Sequence, residues 1–408
     1  MDDFAGGRTP PDPGRIVAGR NYFIGAVAII TLVATGCAGS PDPADTTGLS
    51  ASTTVLPQVG APTTAPPTTE PSTTVPTAPT TTVPVPTTTV AAPTTTAAPI
   101  PAPGSFRAAS TLAKVGPCPL YPTDHFLNAT NVDTLPVHPQ STTWTNYLGG
   151  DATLLKTPSS KIWAGARAGI PLNIVDSNTL TKSDVRLNQS WTTRGYNGKY
   201  PIPANPKVEG YPSVQWDQHL LMLDTADCMA YELIGYEPKV FQFLGLHTAL
   251  SGIRYPVDSS DVPVLTTNAA NTPMIGQYLR VDEVNAGNVP HVVGFCSNLI
   301  RNQHVWPAQA SDGTESAANA IPMGAWLRLK SDVDLRGFTG QAAPIARAMR
   351  EHGMVLTDIC GHRLSVMSEN ADGWVEKDID QLKGLTASDF EVVDPSAMKT
   401  NNASFVIR

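Results

Sequence analysis

The sequence lacks an apolar stretch long enough to cross a bilayer, any basic run, and closely spaced cysteines. Each absence removes a class. A spanning helix needs about twenty apolar residues, and the marked apolar run here, Phe23 to Ala34, is about a dozen, the length of a signal-peptide core. A net charge of −8 without basic clusters argues against nucleic acid and against anionic lipid as partners. The wide cysteine spacing does not suit a structural zinc site. G-x-S-x-G, a phosphate loop and H-E-x-x-H are also missing. Their absence counts against a serine hydrolase, a nucleotide enzyme and a zinc protease, and no metal or organic cofactor is indicated.

What is present begins with Arg15 and Arg20 ahead of the apolar run, which ends in Ala34-Thr35-Gly36-Cys37. Small residues immediately before a cysteine resemble a bacterial lipoprotein signal, with Cys37 lipidated as the new N-terminus. Ala34 stands where Leu is usual. An ordinary signal peptide or an uncleaved anchor is the alternative, and either leaves the rest of the chain outside. The expected location is the outer face of the cytoplasmic membrane, with the membrane as a partner through Cys37. From Ser40 to about Pro103 the chain is Thr, Pro, Ala and Val, as in Thr73-Thr74-Val75-Pro76 and Thr87-Thr88-Thr89-Val90. Such a segment cannot bury a core and favours polyproline II. At ~3.1 Å per residue it reaches on the order of 200 Å, enough to carry a domain into a cell wall. A flexible linker with no measuring role is the plainer account. The organisation is therefore 1–37 signal segment, 38–105 disordered stalk and 106–408 globular domain, long enough for one large core.

Of the five cysteines, Cys118, Cys228, Cys296 and Cys360 remain in the globular part. An even number in an exported domain points to two disulfides, and four cysteines allow three pairings. Most of the domain reads as strand and loop. Residues 120–211 are rich in Pro, Gly and Asn. Clearer strands follow at His219–Leu223, Cys228–Ile234, Val240–Leu244, Tyr278–Val281, His291–Cys296 and Trp326–Lys330. Gln341 to His352 has helical spacing, with Pro344 in the first turn and Gly353 as a stop; Val375 to Leu382 is a second, shorter helix. The expected fold is mainly β, sandwich or jelly-roll-like, with a few helices; an α+β layer fold is the alternative.

The sharpest local pattern is Asp217-Gln218-His219-Leu220-Leu221-Met222-Leu223, a turn Asp224-Thr225-Ala226-Asp227, and Cys228-Met229-Ala230-Tyr231-Glu232-Leu233. A hairpin with that four-residue turn sets Leu223 against Cys228 and His219 against Glu232, and alternation lays Asp217, His219 and Glu232 on one face. A carboxylate beside a histidine fixes its tautomer and raises its pKa, so the pair suits general acid–base work and should open toward a cleft. The bland account is a hydrogen-bonded pair closing a sheet end. Asp282 and Glu283 sit where a strand ends, with His291 starting the next. Two strand-borne carboxylates are what a glycosidase uses, and Glu232 with Glu283 is the candidate acid and base; Asp217, Asp282 and His219 support them. Trp216, Trp306, Trp326 and Trp374 are able to stack on sugars, but core packing is the default. His352-Gly353 with Cys360-Gly361-His362-Arg363 resembles the transpeptidase motifs of cell-wall enzymes, but the spacing is too short and Cys360 is better used in a disulfide.

Several segments fall in one order: Cys118-Pro119-Leu120-Tyr121-Pro122-Thr123-Asp124, Leu135-Pro136-Val137-His138-Pro139, Tyr200-Pro201-Ile202-Pro203, Glu209-Gly210, Asp217-Gln218-His219 and Cys228 to Leu233. Arg280-Val281-Asp282-Glu283-Val284, His304-Val305-Trp306-Pro307-Ala308, Met323-Gly324-Ala325 and His352-Gly353-Met354 continue it. Together, from about Cys118 to Asp394, they resemble a large family of secreted bacterial proteins, frequent in soil bacteria, with no established activity. The chain departs from that pattern at Phe126-Leu127-Asn128, Arg254-Tyr255-Pro256-Val257-Asp258 and Asp358-Ile359-Cys360-Gly361, where relatives carry Trp-Asn, a Gly-Trp-Thr-Ser-rich segment and Asp-Asn-Gly. The resemblance implies that Cys118 and Cys228 belong to the family at large and that Cys296 and Cys360 were added together. The pairs it implies are therefore Cys118–Cys228 and Cys296–Cys360, with Cys228–Cys296 as the fallback. The function expected is an extracytoplasmic glycan-acting hydrolase, with cell-wall glycan as the partner; a non-catalytic glycan- or protein-binding envelope protein is the alternative.

Overall fold

The structure, a computed structural model, describes residue 102 and residues 104–408 apart from 109–110, 164, 189–194, 214–215 and 238–245. The signal segment with Cys37, nearly all of the stalk, and the strand expected at Val240–Leu244 lie outside the described residues.

Two sheets organise the described part. The first contains β1 (Leu172–Val175), β2 (Leu220–Asp224), β3 (Met229–Ile234) and β4 (Ser251–Pro256) in the order β4-β3-β2-β1. Within it β1 runs parallel to β2, and the other pairs are antiparallel. The second contains β5 (Val293–Ser297), β6 (Trp326–Leu329), β7 (Met354–Ile359), β8 (Ser365–Val366) and β9 (Phe390–Val393) in the order β8-β5-β7-β6-β9. The fold is mainly β with few helices.

Strand alternation explains the layering. Leu221 and Leu223 of β2 point into one core with Ala230, Ile253 and Tyr255, and Trp326, Val355 and Val393 of the second sheet enter that same core. Leu220 and Met222 point the other way, onto Tyr231, Leu233 and Tyr200. Both faces of β2 are therefore covered, so its sequence is an unbroken apolar run rather than an alternating one. On the far side of the second sheet, Leu327, Leu329, Met354 and Leu356 pack with Ile345, Ala346 and Met349.

Those last three residues belong to a helix at Ala342–Glu351 whose apolar spacing was legible. Gly353 ends it in the left-handed region (φ 73°). A Cβ there would sit 2.6 Å from the Leu327 carbonyl oxygen, so only glycine closes this turn. The second expected helix is shorter, Glu376–Ile379, and continues as a 3₁₀ turn to Gly384.

Two expectations are corrected. Tyr278–Val281 is not a strand: Leu279 makes one isolated bridge to Ser368, and Val281–Asn285 is a short helix with Glu283 at its third position. The Glu283 Oε1 accepts the Arg280 N–H at 2.9 Å, so the acidic pair caps a helix start instead of ending a strand. The hairpin register is also displaced by two residues. Leu221 opposes Glu232 and Asp224 opposes Met229. Asp224 stays in the strand because its buried carboxylate pairs with Lys182 at 2.9 Å and accepts the Ser177 and Ala226 N–H groups. Cys228 is instead taken into the turn, at φ 52°. A shift of two keeps the facing pattern but moves His219 beyond the end of the ladder.

The cysteines pair as Cys118–Cys228 and Cys296–Cys360, with Cα separations of 5.5 and 5.6 Å. Both disulfides fit an oxidising, extracytoplasmic compartment. Among the described residues no helix is long and apolar enough to cross a membrane.

Candidate functional site

His219 finds its carboxylate partner in Glu209. The Glu209 N–H donates to the His219 carbonyl at 2.9 Å, and the His219 Nδ1 lies 2.5 Å from Glu209 Oε2. On the other side, Nε2 lies 2.9 Å from the Thr267 carbonyl oxygen, which can only accept. With a carboxylate at one ring nitrogen and a carbonyl at the other, both nitrogens carry hydrogen, and the ring is an imidazolium. Burial alone would lower its pKa; Glu209, with Asp217 and Asp358 farther out, outweighs that and raises it to about 10.

Thr267 links His219 to Glu232 without the two side chains meeting. Its N–H and Oγ donate to Glu232 Oε2 at 3.2 and 2.8 Å, the Met274 N–H donates to Oε1 at 2.9 Å, and the Tyr255 hydroxyl also donates to Oε1. Glu232 is 0% exposed. The expected cleft-facing dyad is thus not formed: Glu232 is a fully satisfied carboxylate in the core, where only such a hydrogen-bond set makes burial tolerable.

The loop carrying Thr267 is stiff. Asn271 is left-handed at φ 54°, and its Oδ1 accepts the Thr266 N–H at 2.7 Å; the Asn268 side chain bonds Thr272 at both ends. The Ala270 N–H donates to the Thr357 carbonyl at 3.0 Å and the Ala269 N–H reaches Asp358 Oδ1 at 3.4 Å, which docks the loop on the end of β7. There Thr357 is the unpaired residue of a bulge: Leu356 opposes Phe295 and Asp358 opposes Cys296. Bulges re-aim the side chain that follows, and this one is clamped by the Cys296–Cys360 bridge.

The outcome is one imidazolium, His219, amid Glu209, Asp217 and Asp358. Asp358 is half-buried and Asp217 exposed, and Gln218 between Asp217 and His219 is left-handed (φ 55°). Backbone held in sparsely populated regions on two sides of one cluster is a mark of functional sites. Burial, reinforced by the Asp217 charge and opposed by His219, pushes the Asp358 carboxyl up to about 7. A carboxyl held near neutrality close to a second, exposed carboxyl is an arrangement suited to proton transfer.

Glu283 belongs to a separate cluster. His291 Nε2 lies 2.9 Å from its Oε1 and Arg280 Nη2 2.6 Å from its Oε2. Burial raises its pKa, but His291 and Arg280 outweigh burial and leave it lowered. Asp282 is exposed, with Oδ1 3.3 Å from Arg280 Nε. Both line a surface cavity of about 220 Å³ together with Lys114 and Asn288. Glu232 and Glu283 share no hydrogen-bonding partner among the described residues. Among the described residues no three His, Cys, Asp or Glu side chains are grouped to hold a metal ion. Trp306, Trp326 and Trp374 each donate their indole N–H to a backbone carbonyl and are nearly buried, so core packing governs them. Cys360, bonded to Cys296, is not a free thiol.

Of the candidate residues, Asp217 and His219 are brought together, Asp282 and Glu283 meet at Arg280 in a separate cluster, and the Glu232 side chain meets neither group directly. Glu209 and Asp358 were the residues missed. Both stood in short motifs, Glu209-Gly210 and Asp358-Ile359-Cys360-Gly361, but nothing local connects either to His219. The chain matches no protein-family model, no curated protein and no solved structure. The chemistry of the site therefore rests on its geometry.

Proposed function

We propose that the chain is an extracytoplasmic envelope protein, anchored through a lipidated Cys37, whose globular part acts on cell-wall glycan as a hydrolase through Asp358 and Asp217. The single observation behind this reading is the half-buried Asp358 carboxyl set beside the exposed Asp217 and a fixed imidazolium. Asp358 gives its proton to the glycosidic oxygen as that bond breaks. Asp217 takes a proton from the water that adds to the anomeric carbon. His219, held by Glu209, is a positioning residue that keeps the field between the two acids constant. Glu232 and Glu283 hold the scaffold.

Two tests apply. Metabolic labelling with a fatty-acid probe should mark wild type and not Cys37→Ala; equal labelling of both removes the anchor. Release of reducing ends from purified cell walls should fall about 10²–10⁴-fold in Asp358→Asn, the usual worth of a general acid, with the basic limb of the pH profile near 7 lost. No turnover by wild type, or equal turnover by the variant, removes the hydrolase. The second reading, a non-catalytic glycan- or protein-binding domain, then takes its place, favoured by the complete hydrogen-bond saturation of Glu232.

A further inference from the structure

Of the four tryptophans singled out in the sequence, Trp216 alone stays outside the apolar cores. It adjoins Asp217 and is half-buried, with its Nε1 turned inward, so the part of the ring left outside is carbon. The side chain rests on Gly210. A Cβ at that residue would fall 2.0 Å from the Trp216 Cγ, and Gly210 is left-handed at φ 68°. Glu209, which holds His219, precedes Gly210, and Tyr211, 38% exposed, follows it. The turn that presents Tyr211 is pinned: its N–H donates to the Val208 carbonyl at 3.3 Å, and the Ser213 N–H donates to that of Gly210 at 2.7 Å.

A further apolar group reaches Asp217 from the root of the β3–β4 connection. The Gly235 N–H donates to the Asp217 carbonyl at 2.9 Å. Leu250, 38% exposed, lies over Gly235, where a Cβ would be 2.4 Å from the Leu250 Cγ. Asp217 is thus exposed among three partly exposed apolar side chains, two of them seated on glycine backbone. A wholly apolar partner would strip water from Asp217 and return no hydrogen bond. A cation would be held best with ring faces around it, and Leu250 offers none. A pyranose suits both surroundings, because its C–H face is apolar and its hydroxyls donate to a carboxylate.

We propose that Tyr211, Trp216 and Leu250 form the glycan-docking rim of the acid site, taking one neutral pyranose ring with its C–H face on the aromatic pair and its hydroxyls on Asp217. The proposal rests on the reading of that site as glycan-acting. The three are binding residues: they hold the sugar where Asp217 and Asp358 reach its glycosidic bond, and they take no part in the proton transfers. Their loss therefore falls on affinity, while turnover of the bound substrate is spared.

The test is sedimentation of the full chain with purified cell walls, in the Asp358→Asn background so that the wall stays intact. KM and kcat for release of reducing ends are measured alongside with Asp358 in place. Tyr211→Ala and Leu250→Ser should each weaken wall binding and raise KM about tenfold, the worth of one well-placed contact, with kcat held. Tyr211→Phe keeps the ring and should restore the affinity that Tyr211→Ala loses. Thermal unfolding confirms that each variant is folded. Absence of wall binding, or unaltered binding in the folded Tyr211→Ala and Leu250→Ser variants, overturns the rim. A fall in kcat at constant KM also overturns it. Displacement of the bound chain by tetramethylammonium, but not by the β-1,4-linked N-acetylglucosamine trisaccharide, does the same. Rim-dependent binding to walls that wild type does not cleave supports the rim and removes the hydrolase, so the two readings fail separately.

Discussion

Replacing Asp358 with Asn should make the protein more stable at alkaline pH while removing its proposed activity. The carboxyl sits at about 7 in the folded chain against 3.8 when free. A carboxyl raised in this way binds its proton more tightly folded than unfolded, so its cost is nil below the unfolded value, grows as pH rises between the two, and is complete above about 7. About three pH units at about 1.36 kcal/mol each set a ceiling of about 4 kcal/mol. Because the residue is only half-buried, solvent screening reduces this to about 2 kcal/mol. Asparagine keeps the Oδ1 that accepts the Ile359 and Ala269 N–H groups and carries no charge at any pH. Urea unfolding followed by tryptophan fluorescence, with disulfides intact, should show the variant about 2 kcal/mol more stable than wild type at pH 8 and within about 0.5 kcal/mol of it at pH 4. Destabilisation at pH 8, or the same difference at both pH values, would refute the argument that Asp358 is held against its preference. Stability gained where activity is lost is the usual signature of a site that stores unfavourable electrostatics for function.

His219→Gln should cost about 3–5 kcal/mol at pH 7, since it leaves Glu209 buried without its cation. The contribution of the imidazolium is complete below 6.5 and lost as pH rises through about 10. Wild type should therefore lose its advantage over the variant across that window in chemical denaturation, and a pH-independent gap would contradict it. Glu232→Gln turns an –NH₂ toward N–H donors of Thr267 or Met274 and should cost about 2–4 kcal/mol with kcat on cell walls unchanged; a fall in kcat at constant stability would restore Glu232 to catalysis. Removing Cys118–Cys228, which spans 110 residues, should cost up to about 4–5 kcal/mol from loop-closure entropy, measured as a lower urea midpoint in the double serine variant.

The sequence by itself determined what depends on neighbours along the chain. The helix at 342–351 was legible because Ile345 and Met349 recur at helical spacing between Pro344 and Gly353, and the β2–β3 hairpin because two apolar runs flank a short turn. The face shared by Leu221, Ala230 and Glu232 also survived, since a two-residue register shift preserves strand alternation. Glu283 was misplaced for a local reason: Asp282-Glu283 after branched residues suits a strand end as well as a helix cap, and only the Arg280 N–H and His291 decide between them. Tertiary structure alone decided the partners of the buried polar groups. His219 faces Glu209 across a loop and feels Asp358 from a strand of the other sheet, and Glu232 is satisfied by Tyr255, Thr267 and Met274, contacts separated by tens of residues in sequence. A buried charge must find partners wherever the folded backbone brings donors, and that is set by how the two sheets and the loop at 266–272 pack, which no local pattern of residues encodes.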